Sequence, residues 1–93
     1  MKLIAALFLS LALPLTAHAE ASCDEWANFT KIVTYRLRDT NKPEKEVIDD
    51  LKSMMGKDPE IDTAVKWVAY SYANPNLDPI DLWEKVYAIC RGK

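Results

Sequence analysis

Histidine is almost absent. The one copy, His18, lies in the first nineteen residues, and nothing from position 20 onward carries an imidazole. That removes the commonest general base and the commonest metal ligand at neutral pH. Cysteine is scarce, with only Cys23 and Cys90. Two such ligands do not make a zinc cage, so no metal and no cofactor is expected. Glycine occurs twice, at Gly56 and Gly92, both where a helix should stop. No stretch alternates long enough to suggest a sheet. No basic patch follows the pattern of a phosphate backbone, which argues against nucleic acid as a partner. The longest apolar run, Leu3 to Leu15, is shorter than the roughly 20 residues of a membrane span.

That run has a different reading. Met1-Lys2 opens it, Pro14 lies near its end, and Ala17-His18-Ala19 follows. A basic start, a short apolar stretch and a small-x-small ending form a secretory signal peptide. Cleavage after Ala19 is expected, leaving residues 20–93 as one exported domain with no stable membrane insertion. The leader looks bacterial, so the expected location is the periplasm. Loss of Lys2 leaves eleven basic against fourteen acidic residues, a net charge of −3, with the signs interspersed.

A domain of this size buries only about 60% of its unfolded surface, so its core is small without a staple. In an oxidising compartment the two cysteines are expected to pair, Cys23 with Cys90, closing nearly the whole domain.

Prolines divide the domain into four helical segments. The first should run from Cys23 to about Asp39. Ser22 and Glu25 form a capping-box pattern, and Trp26, Phe29, Val33 and Leu37 define a buried stripe widened by Ile32 and Tyr35. The second should be capped by Asn41 with Pro43 in its first turn. Val47, Ile48, Leu51, Met54 and Met55 form its apolar face, and Gly56 stops it. Asp58-Pro59 should start the third, with Ile61, Ala64, Val65, Val68 and Tyr72 facing the core. Asp78-Pro79 should start the fourth, with Ile80, Trp83, Val86, Tyr87 and Cys90 on one face. The fold expected is all-α: four short helices in a small antiparallel or partly orthogonal bundle closed by one disulfide.

Candidates for chemistry are few. Glu46 and Asp50, four apart, share a helix face and could act as acid and base in a cleft. A solvated face is the default for such residues. Asp49, adjacent to Asp50, points elsewhere. Ser22, Ser53 and Ser71 have no histidine to activate them and no nucleophile elbow around them. No catalytic residue is assigned and an enzyme is not expected. Asn28-Phe29-Thr30 matches a glycosylation pattern by chance inside a helix, and Met54-Met55 reads as gap-filling core.

The aromatics are the more informative set. From Val65 to Ala73 only Lys66 is strongly polar, so the third helix is either central or carries an interaction surface. Trp67 and Tyr70 lie three apart and partly off the core stripe. They are the expected exposed pair and the candidate protein-binding residues, together with Tyr35 and Arg38.

Cys23, Arg36-Leu37-Arg38-Asp39, Tyr72-Ala73-Asn74-Pro75 and Cys90 together resemble a group of small, uncharacterised bacterial periplasmic helical proteins with one disulfide. The domain is also similar in size, helicity and single disulfide to the HdeA-type acid-stress chaperones. Lys42 to Pro75 resembles the helix-Pro-helix middle of small helical immunity proteins. Together with the aromatic set, the expected function is that of a periplasmic protein that binds another periplasmic or secreted protein, as an inhibitor or immunity protein. The alternative is an acid or envelope-stress chaperone whose fourteen carboxylates protonate and loosen the bundle.

Overall fold

The computed structural model describes residues 21–92. The leader expected over 1–19, and His18 with it, lies outside the described residues. Among the described residues there are four α-helices and no strand: α1 (Cys23–Arg36), α2 (Glu44–Met55), α3 (Ile61–Ala73) and α4 (Pro79–Cys90), with a 3-10 turn at Arg38–Thr40. None of them is long and apolar enough to cross a membrane.

α1 starts as its sequence dictates. The Ser22 hydroxyl accepts from the Glu25 N–H, and the Glu25 carboxylate accepts from the Ser22 N–H at 2.8 Å. This reciprocal cap satisfies two otherwise unpaired donors. Trp26, Phe29, Val33 and Leu37 are buried as the periodicity requires. Tyr35 departs from expectation. It is 41% exposed, because it lies on the outward side of α1. The helix also ends three residues earlier than expected, at Arg36, and tightens into the 3-10 turn.

The links between helices depart from the sequence reading in detail. Asn41 does not cap α2. It takes the left-handed conformation, φ 68°, and closes the 3-10 turn with its N–H on the Arg38 carbonyl. Asparagine tolerates that region better than most residues. Pro43 then serves as the N-cap of α2 with no side-chain cap. Asp58-Pro59-Glu60 forms a turn ahead of α3 rather than its first turn. The Asp58 carboxylate accepts from the Glu60 N–H at 2.8 Å, an Asx-type turn that delays helix entry by two residues. Gly56, at φ 56°, ends α2 where only glycine is unstrained. α4 begins as expected, with the Asp78 side chain accepting from the Asp81 N–H and Pro79 at its first position.

α1 packs along α4 and also against α3, while α2 packs against α3. The core joins Trp26, Phe29 and Val33 of α1 to Val47 and Leu51 of α2, Ala64, Trp67 and Val68 of α3, and Val86 of α4. α4 buries fully only Leu82 and Val86. Ile80, expected on its inner face, is 58% exposed. Leu82 takes that inner place instead, four residues before Val86.

One buried contact between α1 and α3 is polar. Thr34 donates to the Thr30 carbonyl at 2.7 Å, and its oxygen lies 2.6 Å from that of Ser71. One hydroxyl has one hydrogen to give. With the Thr34 hydrogen already committed, Ser71 is the donor across the interface. Ser71 is therefore a buried structural hydroxyl.

Cys23 and Cys90 are joined, with Cα atoms 5.5 Å apart and a sequence separation of 67. The disulfide ties the start of α1 to the end of α4. Replacing both cysteines with serine should lower unfolding free energy by about 4 kcal/mol or somewhat less, on the loop-entropy argument. Urea titrations of the oxidised protein and the double variant check this, and equal midpoints would contradict it.

Candidate functional site

The residues expected to form a binding surface do not share one. Trp67 is only 4% exposed and belongs to the core. Its ring meets Tyr70 edge-on, with centroids 5.8 Å apart, and the Lys66 ammonium covers it at 5.2 Å. The two residues do pair, but the pair turns inward. The expectation of exposure fails because α1 and α2 both pack on α3, so its apolar surface is covered on more than one side. Tyr70 is half-buried.

Arg38 is also occupied. Its Nη1 donates to the carbonyls of Ser71 and Asn74 at 3.0 and 3.1 Å, and its Nη2 to that of Leu77 at 2.8 Å. Its Nε pairs with Asp39 at 3.0 Å. The side chain is 10% exposed. The guanidinium thus caps the last turn of α3 and clamps the link to α4. These carbonyls at a helix end have no helical partner, and a cation there is favoured by the helix dipole. Arg38 is structural in this arrangement, and only Tyr35 of the four candidates presents its ring outward. The Arg36 guanidinium lies 5.4 Å from that ring.

Glu46 and Asp50 converge on one ammonium. Lys42 Nζ lies 3.1 Å from Glu46 and 3.9 Å from Asp50 Oδ2. Asp50 Oδ2 is buried without a hydrogen bond, so the nearby charge of Lys42 compensates it. Among the described residues no group of three potential metal ligands forms.

Tyr72 lies near this corner. Its hydroxyl donates to the Lys42 carbonyl, which joins α3 to the link before α2. Burial pushes its pKa up to about 12, reinforced by the negative charge of Glu44 and opposed by Arg38.

Trp83 and Tyr87 of α4 are half-buried: they pack against the core, as expected, and present one edge outward. Trp83, Tyr87 and Arg91 recur at four-residue steps, so they stack along one side of the helix. The Trp83 and Tyr87 rings are parallel within 11°, with centroids 5.1 Å apart. The Arg91 guanidinium caps the stack 5.3 Å from the Tyr87 ring, and its Nη1 donates to the Tyr87 hydroxyl at 2.8 Å. Trp83 Nε1 donates to Asn28 Oδ1 of α1 at 2.8 Å. Seven residues from Asn28, and so on the same side of α1, is Tyr35. Ile80 extends the α4 side by one further turn. Ser22, Cys23, Asp24, Tyr87 and Arg91 line an open depression of 250 Å³ beside the disulfide. The signal for this surface was available as the Trp-x-x-x-Tyr-x-x-x-Arg spacing. The same spacing describes the inner stripe read from the sequence, and the two aromatics serve both roles by packing on the core while leaving an edge open.

Comparison with known protein families, curated proteins and solved structures finds no match for this chain.

Two outcomes follow from this geometry. Arg38→Ala should cost about 2–3 kcal/mol of stability by leaving three carbonyls without their charged donor. Arg38→Lys should recover only part of it, since an ammonium lacks the planar fork. Denaturant titration checks both, and a loss below about 0.5 kcal/mol for Arg38→Ala would contradict the clamp. For Tyr72, the raised pKa means the folded state holds a proton that the unfolded chain loses near pH 10. Stability from this group is full below pH 10 and falls as pH rises toward 12. Absorbance of tyrosinate should show one of the four tyrosines titrating late, and Tyr72→Phe should delete that phase alone.

Proposed function

We propose that this chain is an exported, non-enzymatic helical domain that binds another protein in the periplasm, of inhibitor or immunity type. The leader pattern at Met1 to Ala19 supports export, and the Cys23–Cys90 disulfide is compatible with it because such bonds persist in oxidising compartments. The binding surface in this reading is the exposed side of α1 and the adjoining edge of α4, with Tyr35, Arg91 and the open edges of the half-buried Trp83 and Tyr87 as contacts.

One observation carries the choice of surface. The Tyr87 ring lies between Trp83 and Arg91 and is tied through Trp83 to Asn28. Trp, Tyr and Arg are the residue types enriched where binding energy concentrates. Holding them in one geometry before contact lowers the ordering cost of association. Ile80, 58% exposed and one turn before Trp83 on the same side of α4, supplies apolar area that water would otherwise cover.

Capture from an envelope extract with the exported, disulfide-intact protein tests the reading. One stoichiometric partner at neutral pH is expected. Combined Tyr87→Ala and Arg91→Ala substitution should weaken that complex at least about tenfold, with helicity unchanged. Unaltered affinity in a folded variant would remove this face from the proposal. Many partners appearing only at acid pH would replace the dedicated binder with a stress chaperone.

A further inference from the structure

The charges of the domain are paired unevenly. Among the described residues every ion pair takes its cation from Arg38, Lys42 or Lys45, on the 3-10 turn, the link before α2 and α2 itself. The side of α1 and α4 that carries Tyr35, Trp83 and Tyr87 has cations of its own, and no carboxylate of the chain takes them up. Lys31, three residues after Asn28 and four before Tyr35, lies on that side of α1 and forms no ion pair. Arg36 and Arg91 are exposed. Each lies over a tyrosine ring instead of a carboxylate, 5.4 Å from that of Tyr35 and 5.3 Å from that of Tyr87. A guanidinium laid on a ring keeps its N–H edge for other partners. Arg91 gives one bond to the Tyr87 hydroxyl and has further donors left. Of the acidic residues on this side, Glu25 is committed to the cap of α1, while Asp24 and Glu84 are exposed. Cations thus outnumber open carboxylates here, in a domain whose sequence from position 20 carries a net charge of −3.

The fold also sets the distance between the two stacked arginines. The bond from Trp83 to Asn28 puts those residues at one level. Cys23 and Cys90 meet at one pole, so α1 and α4 run in opposite directions from that level. Tyr35 lies seven residues toward the far pole, and Tyr87 four residues toward the disulfide. At about 1.5 Å of rise per residue, the two tyrosines are about 16 Å apart along the helices.

We infer that this face receives an acidic segment of a partner protein. Two carboxylates about 16 Å apart meet Arg36 and Arg91, and an apolar side chain between them meets the open edge of Trp83 and Ile80. The inference rests on the binding reading above and adds the chemistry of the partner. A guanidinium holds a carboxylate by two parallel bonds, which fixes position as well as adding energy. Each ring restrains its arginine before contact, so less freedom is lost on association. Lys31, between the two, adds a charge that draws an acidic segment toward the face.

The test screens a displayed random peptide library on the exported, disulfide-intact protein. Enriched peptides should carry two Asp or Glu residues with an apolar residue between them. The acids should stand about five positions apart in an extended peptide or about eleven in a helical one, the spacings that span this distance. A synthetic copy of the strongest peptide should bind at least about tenfold more weakly to the Arg36→Glu, Arg91→Glu double variant. High salt should narrow that difference. Arg36→Lys with Arg91→Lys should recover affinity only in part, because the charge stays and the fork is lost. If the charge-reversed protein does not fold, amidating the two acids of the peptide makes the same comparison on wild type. Enrichment without acidic pairs, no enrichment, or an affinity indifferent to these changes overturns the inference. So does an oligonucleotide that competes as well as the peptide, since it marks undirected attraction of anions. The binding reading fails separately. A stoichiometric envelope partner that depends on Tyr87 but not on Arg36, Arg91 or salt keeps the binder and removes the acidic contact, whereas no envelope partner removes the binder itself.

Discussion

The Cys23–Cys90 disulfide is the constraint on which the remaining architecture depends. α4 buries Leu82 and Val86 completely and lays the half-buried Trp83, Tyr87 and Cys90 against the core. That packing is reinforced because both ends of the helix are tied. Cys90 joins its last turn to the first turn of α1. At the other end, Arg38, just beyond α1, holds the carbonyls of Asn74 and Leu77 in the link that leads into α4. One bond is covalent and the other a charged fork, but they act on the same pair of helices from opposite poles. The antiparallel alignment of α1 and α4 follows from that placement.

With α4 fixed, the rest of the interior can be organised around α1 and α3. Their contact is closed by small hydroxyl side chains. Thr30 and Thr34 return their hydrogens to carbonyls one turn back, and Ser71 donates across to Thr34. Such buried hydroxyls are tolerated because each has a partner. Larger apolar groups, among them Trp26, Phe29 and Trp67, fill the rest of the core. Tyr72 secures the far side by bonding the backbone at Lys42, so the link before α2 is tied to α3 in the same way that the link before α4 is tied by Arg38.

Local signals were legible in the sequence wherever the chemistry is local. The Ser22–Glu25 box and the Asp78-Pro79 start involve side chains bonding amides three residues away, and both form as read. The all-α fold and the cysteine pairing were legible for the same reason: periodicity and composition suffice. Asn41 and Asp58 misled because Asx residues cap helices and build turns with equal chemistry, and the spacing between helices decides which. Trp67 and Arg38 misled for a different reason. A tryptophan off a stripe reads as exposed only if one neighbour covers the helix, and α3 has two. An arginine near a helix end reads as surface charge unless another helix ends beside it, which no local pattern announces.

The same logic explains why the aromatic surface belongs to α4 rather than α3. A helix that is apolar most of the way round has two explanations, centrality or an exposed face, and α3 takes the first. Its aromatics contribute to stability, and presenting them to a partner would dismantle the core. α4 sets Trp83 and Tyr87 at the margin of its inner face, half-buried against the core with one edge open. It is also pinned at both poles, so that edge is held in one place relative to α1. Stacking, the bond to Asn28 and the Arg91 cap remove most of the remaining side-chain freedom. A surface that is already ordered retains more of its contact energy on association than one that must be ordered by its partner. The two ties that hold α4 in place thus also fix the aromatic edge that this reading assigns to recognition.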